Sequence, residues 1–123
     1  MKGGSGVTNI KNAAFSGCAR LKEFPALSKL QKIGAEAFSG CSRLPKFTLG
    51  AKVNSIGKSA FNGCKALKSI TVKTTRLTEK NVGANAFRNI CKKAAFKCPP
   101  KKLKAYRKLF IKKGAPKTCT FES

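Results

Sequence analysis

The pentapeptide Ala14-Phe15-Ser16-Gly17-Cys18 returns as Ala37-Phe38-Ser39-Gly40-Cys41 and again as Ala60-Phe61-Asn62-Gly63-Cys64, at a constant interval of 23 residues. The same interval relates Val7, Leu30 and Val53; Ile10, Ile33 and Ile56; Leu21, Leu44 and Leu67; and Phe24, Phe47 and Ile70. A degenerate fourth copy, 26 residues on, carries Val82, Ala86-Phe87, Ile90 and Phe96. One unit of this length cannot bury its own apolar face. Apolar positions recurring at such a period therefore imply a stacked solenoid, in which each copy supplies its neighbour with a core.

Within a unit the pattern has two halves. In Cys41-Ser-Arg-Leu44-Pro-Lys-Phe47-Thr-Leu49 the end alternates with period two. Phe47 and Leu49 therefore share one face and Thr48 the other, as in a short strand. Stacked units would align these strands as a parallel ladder about 4.8 Å apart. The other half, Val53-x-x-Ile56-Gly57-x-x-Ala60-Phe61, returns the chain across the convex side. Spacings of three and four there suit short helical or 3₁₀ turns, with Gly34 and Gly57 expected to permit a tight turn.

The string I-G-x-x-A-F-x-G-C-x-x-L-x-x-φ-x-φ, best kept at Ile33–Cys41 and Ile56–Cys64, resembles the BspA-like class of leucine-rich repeats. The resemblance runs from about Val7 to Pro99. Copy one departs from it with Lys11 in place of Gly. Copy four departs with Ile90 in place of Cys and Lys93 in place of Leu. The units expected are near 10–32, 33–55, 56–81 and 82–99. The resemblance implies an α/β solenoid and a surface or secreted microbial protein that binds host or microbial macromolecules. It implies no catalytic activity and no cofactor.

After Cys98 the grammar changes. Pro99-Pro100 stops the strand, and Pro suits the first turn of a helix. Residues 101–113 read as a helix closed by Gly114 and Pro116, with Leu103, Tyr106, Leu109 and Phe110 on one face. Residues 118–121 read as one last strand. Residues 100–123 thus form a C-terminal capping segment laid over the end of the core. A membrane-surface helix is the other reading of such a stripe, and the core beside it that needs cover favours the cap. Ahead of the repeats, residues 1–6 lack the apolar centre of a secretory signal. Their Gly-Gly-Ser-Gly reads as a flexible linker or a scar of cloning. With the first copy starting part-way through a unit, this gives the expectation of a piece of a longer protein.

Charge is the second constraint. There are 27 Lys and Arg against four acids, Glu23, Glu36, Glu79 and Glu122, for a formal net charge of +23. Such a chain attracts polyanions of any kind: nucleic acid, acidic glycan, wall polymer or anionic lipid. Mere solubility of an extracellular repeat is the plainer reading of the same charge. No run approaches the roughly 20 apolar residues of a membrane span. His and Asp are both absent, so the usual triads, dyads and hard-metal cages lack their parts.

The cysteines fall one per repeat. Zinc ligands instead pair at close spacing and converge on a point. Cys18, Cys41 and Cys64 are therefore expected as a ladder of buried, reduced thiols whose S–H groups meet loop backbone. Cys91 falls in an exposed slot, Cys98 in an inward one, and Cys119 in the final strand. A Cys98–Cys119 bridge would close a loop of about 20 residues and tie down the cap.

Two surfaces are candidates for binding. The exposed strand face carries Lys22, Lys46, Thr48, Lys68, Thr71, Lys73 and Lys97. It lacks the aromatic platforms on which single-stranded nucleic-acid binders stack bases. The cap helix carries Lys101, Lys102, Lys104, Arg107, Lys108, Lys112 and Lys113, a candidate polyanion patch. The expected function is a noncatalytic extracellular binding or adhesion module, the C-terminal repeats of a BspA-like surface protein, with a protein or an anionic glycan or wall polymer as partner. The alternative is a cationic effector that binds nucleic acid, wall polymer or anionic membrane.

Overall fold

Each repeat closes one coil from two extended stretches and a run of turns. The computed structural model of the protein describes residues 6–123; the expected linker lies outside them but for Gly6. The strands are β1 (Asn9–Ile10), β2 (Lys32–Ile33), β3 (Lys46–Leu49), β4 (Ser55–Ile56), β5 (Ser69–Val72), β6 (Ala95–Lys97) and β7 (Thr120–Glu122). They form two parallel sheets, one in the order β1-β2-β4 and one in the order β3-β5-β6-β7. Equivalent residues pair, with Ile10 opposite Ile33 opposite Ile56 in the first sheet and Phe47 opposite Ile70 opposite Phe96 opposite Phe121 in the second.

The expected strand of the first coil, through Phe24 and Ala26, does not form. Pro25 stands where β3 has Thr48, and a proline has no N–H to give a ladder. The convex return is a series of turns with three-residue spacing. Ala37 N–H donates to Gly34, Ser39 to Glu36 and Cys41 to Phe38, at 3.1–3.2 Å. A continuous 3₁₀ helix is prevented because Glu36 and Gly40, with φ of 58° and 78°, lie in the left-handed region.

Gly34 and Gly57 do not serve as turn formers. Their φ values are not positive; a Cβ on Gly34 would lie 2.5 Å from the Asn12 nitrogen, and one on Gly57 2.3 Å from the Ala35 nitrogen. They are glycine because adjacent coils touch there backbone to backbone. Lys11, the first coil's departure, sits at the same position with no described coil beyond it.

The turns also bond from coil to coil in one direction. Gly17 N–H donates to the Ser39 carbonyl at 2.7 Å, Gly40 N–H to Asn62 at 2.9 Å and Gly63 N–H to Arg88 at 3.0 Å. A parallel row runs from Phe15 through Phe38 and Phe61 to Phe87, whose N–H meets the Lys113 carbonyl at 3.1 Å.

Inside, Phe15, Phe38, Phe61 and Phe87 stack face to face at 5.3–5.4 Å between centroids, within 9° of parallel. Phe24 and Phe47 stack alongside, and their edges meet the first column at 4.9–5.3 Å. Each such pair contributes about 0.5–1.5 kcal/mol beyond burial. Phe15 is half-buried, being in the first coil, whereas the next three rings are fully enclosed.

The cap begins with a 3₁₀ turn, Pro100–Lys102, and continues as α1 (Leu103–Lys112). Tyr106, Leu109 and Phe110 are buried and Leu103 half-buried, so the apolar stripe does cover the core. The Phe110 ring stacks on Phe96 at 4.9 Å and meets Phe87 edge-on at 5.0 Å. The three extra residues of the 26-residue interval fall in the loop after β5. There Thr74 is fully buried, and its hydroxyl donates to the Val53 carbonyl at 2.6 Å. Tyr106 clamps this loop, donating to the Thr74 carbonyl at 2.8 Å and accepting the Leu77 N–H at 3.3 Å.

All six cysteines are free. Cys41 and Cys64 are buried, and their thiols donate to the carbonyls of Phe15 and Phe38 in the preceding coil, at 3.2 and 3.0 Å. Cys18 is half-buried rather than buried because no described coil covers it, and Cys91 is half-buried rather than exposed. The Cys98–Cys119 bridge is excluded by register. Ala95 pairs with Thr120, which sets Cys119 beside Ala94 and leaves Cys98 four residues along the ladder. At about 3.3 Å per residue that offset is about 13 Å, twice what a disulfide spans.

Candidate functional site

Strand alternation decides what the four-stranded sheet shows to solvent. Inward positions are taken by Phe47, Leu49, Ile70, Val72 and Phe96, all buried. Outward positions align into two rows, Lys46-Ser69-Ala95-Thr120 and Thr48-Thr71-Lys97-Glu122. Thr48, Thr71 and Lys97 thus come together as adjacent rungs, with Lys46 one row away. Glu122, at the end of the second row, was not foreseen there and offsets Lys97. Lys68 and Lys73 flank β5 and are exposed; Lys22 is exposed on the unpaired segment of the first coil. Lys73 and Thr48 also line a small cavity of about 260 Å³ with Ala26, Ser28 and Gly50. The face is small-featured and polar, and its positive charge sits at its margins.

The cap presents the second surface. Lys101, Lys104, Arg107, Lys108 and Lys112 are exposed, whereas Lys102 and Lys113 are half-buried. Lys112 is engaged by Glu79, the one ion pair among the described residues. The hydrogen bond from Lys112, then its charge and that of Lys113, hold the Glu79 carboxyl below its ordinary range. The first turn of α1 has no acidic residue and no side-chain cap. Cations therefore crowd the positive end of the helix dipole, an arrangement that a nearby anion relieves.

The inward-facing chemistry is spent on packing. The thiols of Cys41 and Cys64 are pushed up to about 11 and about 12, chiefly by burial, which makes them poor nucleophiles at neutral pH. Among the described residues no group of His, Cys, Asp or Glu converges to hold a metal ion. Among the described residues no helix is long and apolar enough to cross a membrane.

A feature that reading the repeats did not disclose lies where the fourth coil meets the cap. A cavity of about 770 Å³ opens there, lined by Lys65, Arg88, Lys92 and Lys117 above Ile90 and Pro116. The four cations come from three separate stretches of sequence, so no local run announces them.

Comparison with known proteins agrees with the geometry. The family model described as the BspA type leucine rich repeat region matches residues 2–114, in six copies. A solved structure, the crystal structure of a leucine-rich repeat protein from Bacteroides ovatus, resembles the chain with a TM-score of 0.70 and 34% identity. The match covers 83% of this chain and 26% of that one, so the chain spans about a quarter of its neighbour's length. No curated protein matches.

Proposed function

The chain belongs to the BspA-type leucine-rich repeat family, and on that footing we propose that it is a noncatalytic binding module acting outside the cell or at its surface, with residues 7–99 as the repeat array and 100–123 as the cap. The observation that carries the reading is the outward sheet face. Its side chains are held in register by four parallel strands, and none of them is needed by the core. A face built from Thr48, Thr71, Lys46 and Lys97 suits a polar macromolecular partner, a protein or an anionic glycan or wall polymer. The test is a binding screen against extracellular proteins, glycans and nucleic acid at physiological salt, repeated with Thr48→Glu/Thr71→Glu. Loss of the captured partner with unchanged thermal unfolding supports the face. Undiminished capture places the contact elsewhere.

The uncapped, cation-rich end of α1 favours a second reading, a cationic effector that holds polyanions through Lys101, Lys102, Lys104, Arg107, Lys108, Lys112 and Lys113. Lys112 would have to leave Glu79 to take part. Neutralising about six phosphates costs on the order of 10³-fold in affinity between 50 and 200 mM salt. Changing the seven residues to Gln should flatten that slope for heparin or duplex DNA. An unchanged slope removes the cap helix from consideration.

A further inference from the structure

The cavity at the junction of the fourth coil and the cap has an electrostatic character that its side chains alone do not convey. The Ser39 carbonyl and the Gly40 N–H belong to one peptide unit, as do those of Asn62 and Gly63 and those of Arg88 and Asn89. The bonds from Gly17, Gly40 and Gly63 therefore link four peptide units head to tail across four coils. Each unit carries a dipole of about 3.5 D, and an aligned row polarises as a helix does, with its positive end at the last free N–H. That N–H is Asn89's. The neighbouring row ends on the Lys113 carbonyl, but among the described residues no protein acceptor takes the Asn89 N–H. Asn89 holds φ of 60°, lies exposed, and lines the cavity.

Around this pole stand Lys65, Arg88, Lys92 and Lys117, all exposed, and none of the four glutamates lines the space. The floor is apolar, formed by buried Ile90 and half-buried Pro116. We propose that this cavity binds the sulfate or phosphate ester of an acidic saccharide, the ester oxygens meeting the Asn89 N–H and the surrounding cations while the sugar ring lies on Ile90 and Pro116. A backbone donor at the end of a peptide row is a recurrent partner for tetrahedral oxyanions. An arginine beside it adds planar, charge-assisted hydrogen bonds. The lining holds no aromatic side chain on which the bases of a single-stranded nucleic acid could stack, and a volume of about 770 Å³ suits a ligand of one or two sugar rings. The inference goes beyond the general binding reading: it assigns a different surface from the strand face and the cap helix, and names the ligand chemistry.

Calorimetry at 150 mM salt tests it, with a sulfated disaccharide, the same disaccharide phosphorylated, its unsubstituted form, and a short DNA duplex as probes. The substituted sugars should bind and the unsubstituted one should not; the ratio of the two substituted affinities identifies which ester is preferred. Arg88→Gln/Lys117→Gln should weaken binding on the order of a hundredfold, about tenfold for each charge-assisted contact. Asn89→Gly, which keeps both the N–H and the left-handed backbone, should bind as the parent does. Lys104→Gln/Arg107→Gln removes the same charge from α1 and should change affinity by less than about threefold. Circular dichroism and thermal unfolding confirm that each variant is folded. Equal binding by the Arg88/Lys117 variant and the parent overturns the proposal. So does an equal loss in the Lys104/Arg107 variant, which would reduce the effect to net charge, or no binding of either ester. Tighter binding of the duplex than of either sugar overturns the saccharide assignment.

Discussion

Phe38 touches rings on three sides, Phe15 and Phe61 face to face and Phe24 and Phe47 edge-on, and is fully enclosed. Phe38→Ala should cost about 3–5 kcal/mol in denaturant titration, the usual toll of truncating a buried aromatic. Phe15→Ala, at a half-buried ring, should cost clearly less. Glu36 is strained rather than packed: its side chain is exposed while its φ is 58°. The fourth coil places Asn85 at the equivalent position, a residue that tolerates the left-handed region. Glu36→Asn should therefore stabilise the protein by about 1 kcal/mol, read as a shifted denaturation midpoint with unchanged slope. Burial raises Cys64 to about 12 and Cys41 and Cys98 to about 11, against an ordinary value of 9.0. These thiols ionise earlier in the unfolded chain. Their contribution to stability is full below pH 9 and is lost as the pH rises toward 11–12. At pH 8 an alkylating reagent should label Cys18 promptly, and Cys41 and Cys64 only as fast as the protein unfolds. In denaturant without reductant all six thiols should react. The aromatic column and the thiol ladder were legible from the 23-residue interval, because burial imposes residue type. The contact role of Gly34 and Gly57 was not, since it depends on the distance between two coils and no single unit records that.

At the level of elements, the cap is held by one side chain more than by any other. Tyr106→Phe removes a donor to the Thr74 carbonyl and an acceptor for the Leu77 N–H, both in a buried setting. It should cost about 1–3 kcal/mol in equilibrium unfolding, the penalty for buried groups left without partners. The loop after β5 should then exchange its amide protons faster. The helix was readable from its apolar spacing and its prolines. Its first turn is 3₁₀ instead of α, and the last strand runs to Glu122, displacements of one or two residues at fraying ends. The sheet of β1, β2 and β4 shows in the sequence only as the recurrence of Ile10, Ile33 and Ile56, because a two-residue strand is too short for alternation to reveal it. The clamp between Tyr106 and the loop was hidden for a different reason. The 26-residue interval showed an insertion, but its partner lies 29 to 32 residues downstream.

Over the whole molecule, each coil relies on its immediate neighbours, so stability should vary along the axis instead of being shared evenly. Among the described residues the third coil is flanked on both sides and the first on one side only. The turn amides Ala13, Phe15 and Gly17 should therefore exchange faster than Ser59, Phe61 and Gly63, although both sets are hydrogen-bonded to the next coil. Equal protection measured by native-state exchange would mean that the array opens only as a unit. Of the candidate sites, the strand face could be read from alternation because its residues recur with the repeat. The basic cavity could not, because Lys65, Arg88 and Lys117 meet only once the cap has folded back over the fourth coil. The backbone contacts at Gly34, Gly57 and Gly83 carry one more consequence. They act as punctuation: glycine at that place means that another coil can be laid on that side, and any larger residue means that it cannot in the same geometry. Lys11 occupies the place in the first coil. To lengthen this solenoid by splicing a further unit ahead of Val7, an engineer would have to edit that single codon to glycine. Inserting a unit between the second and third coils would require no such edit, provided the new unit brings its own glycine.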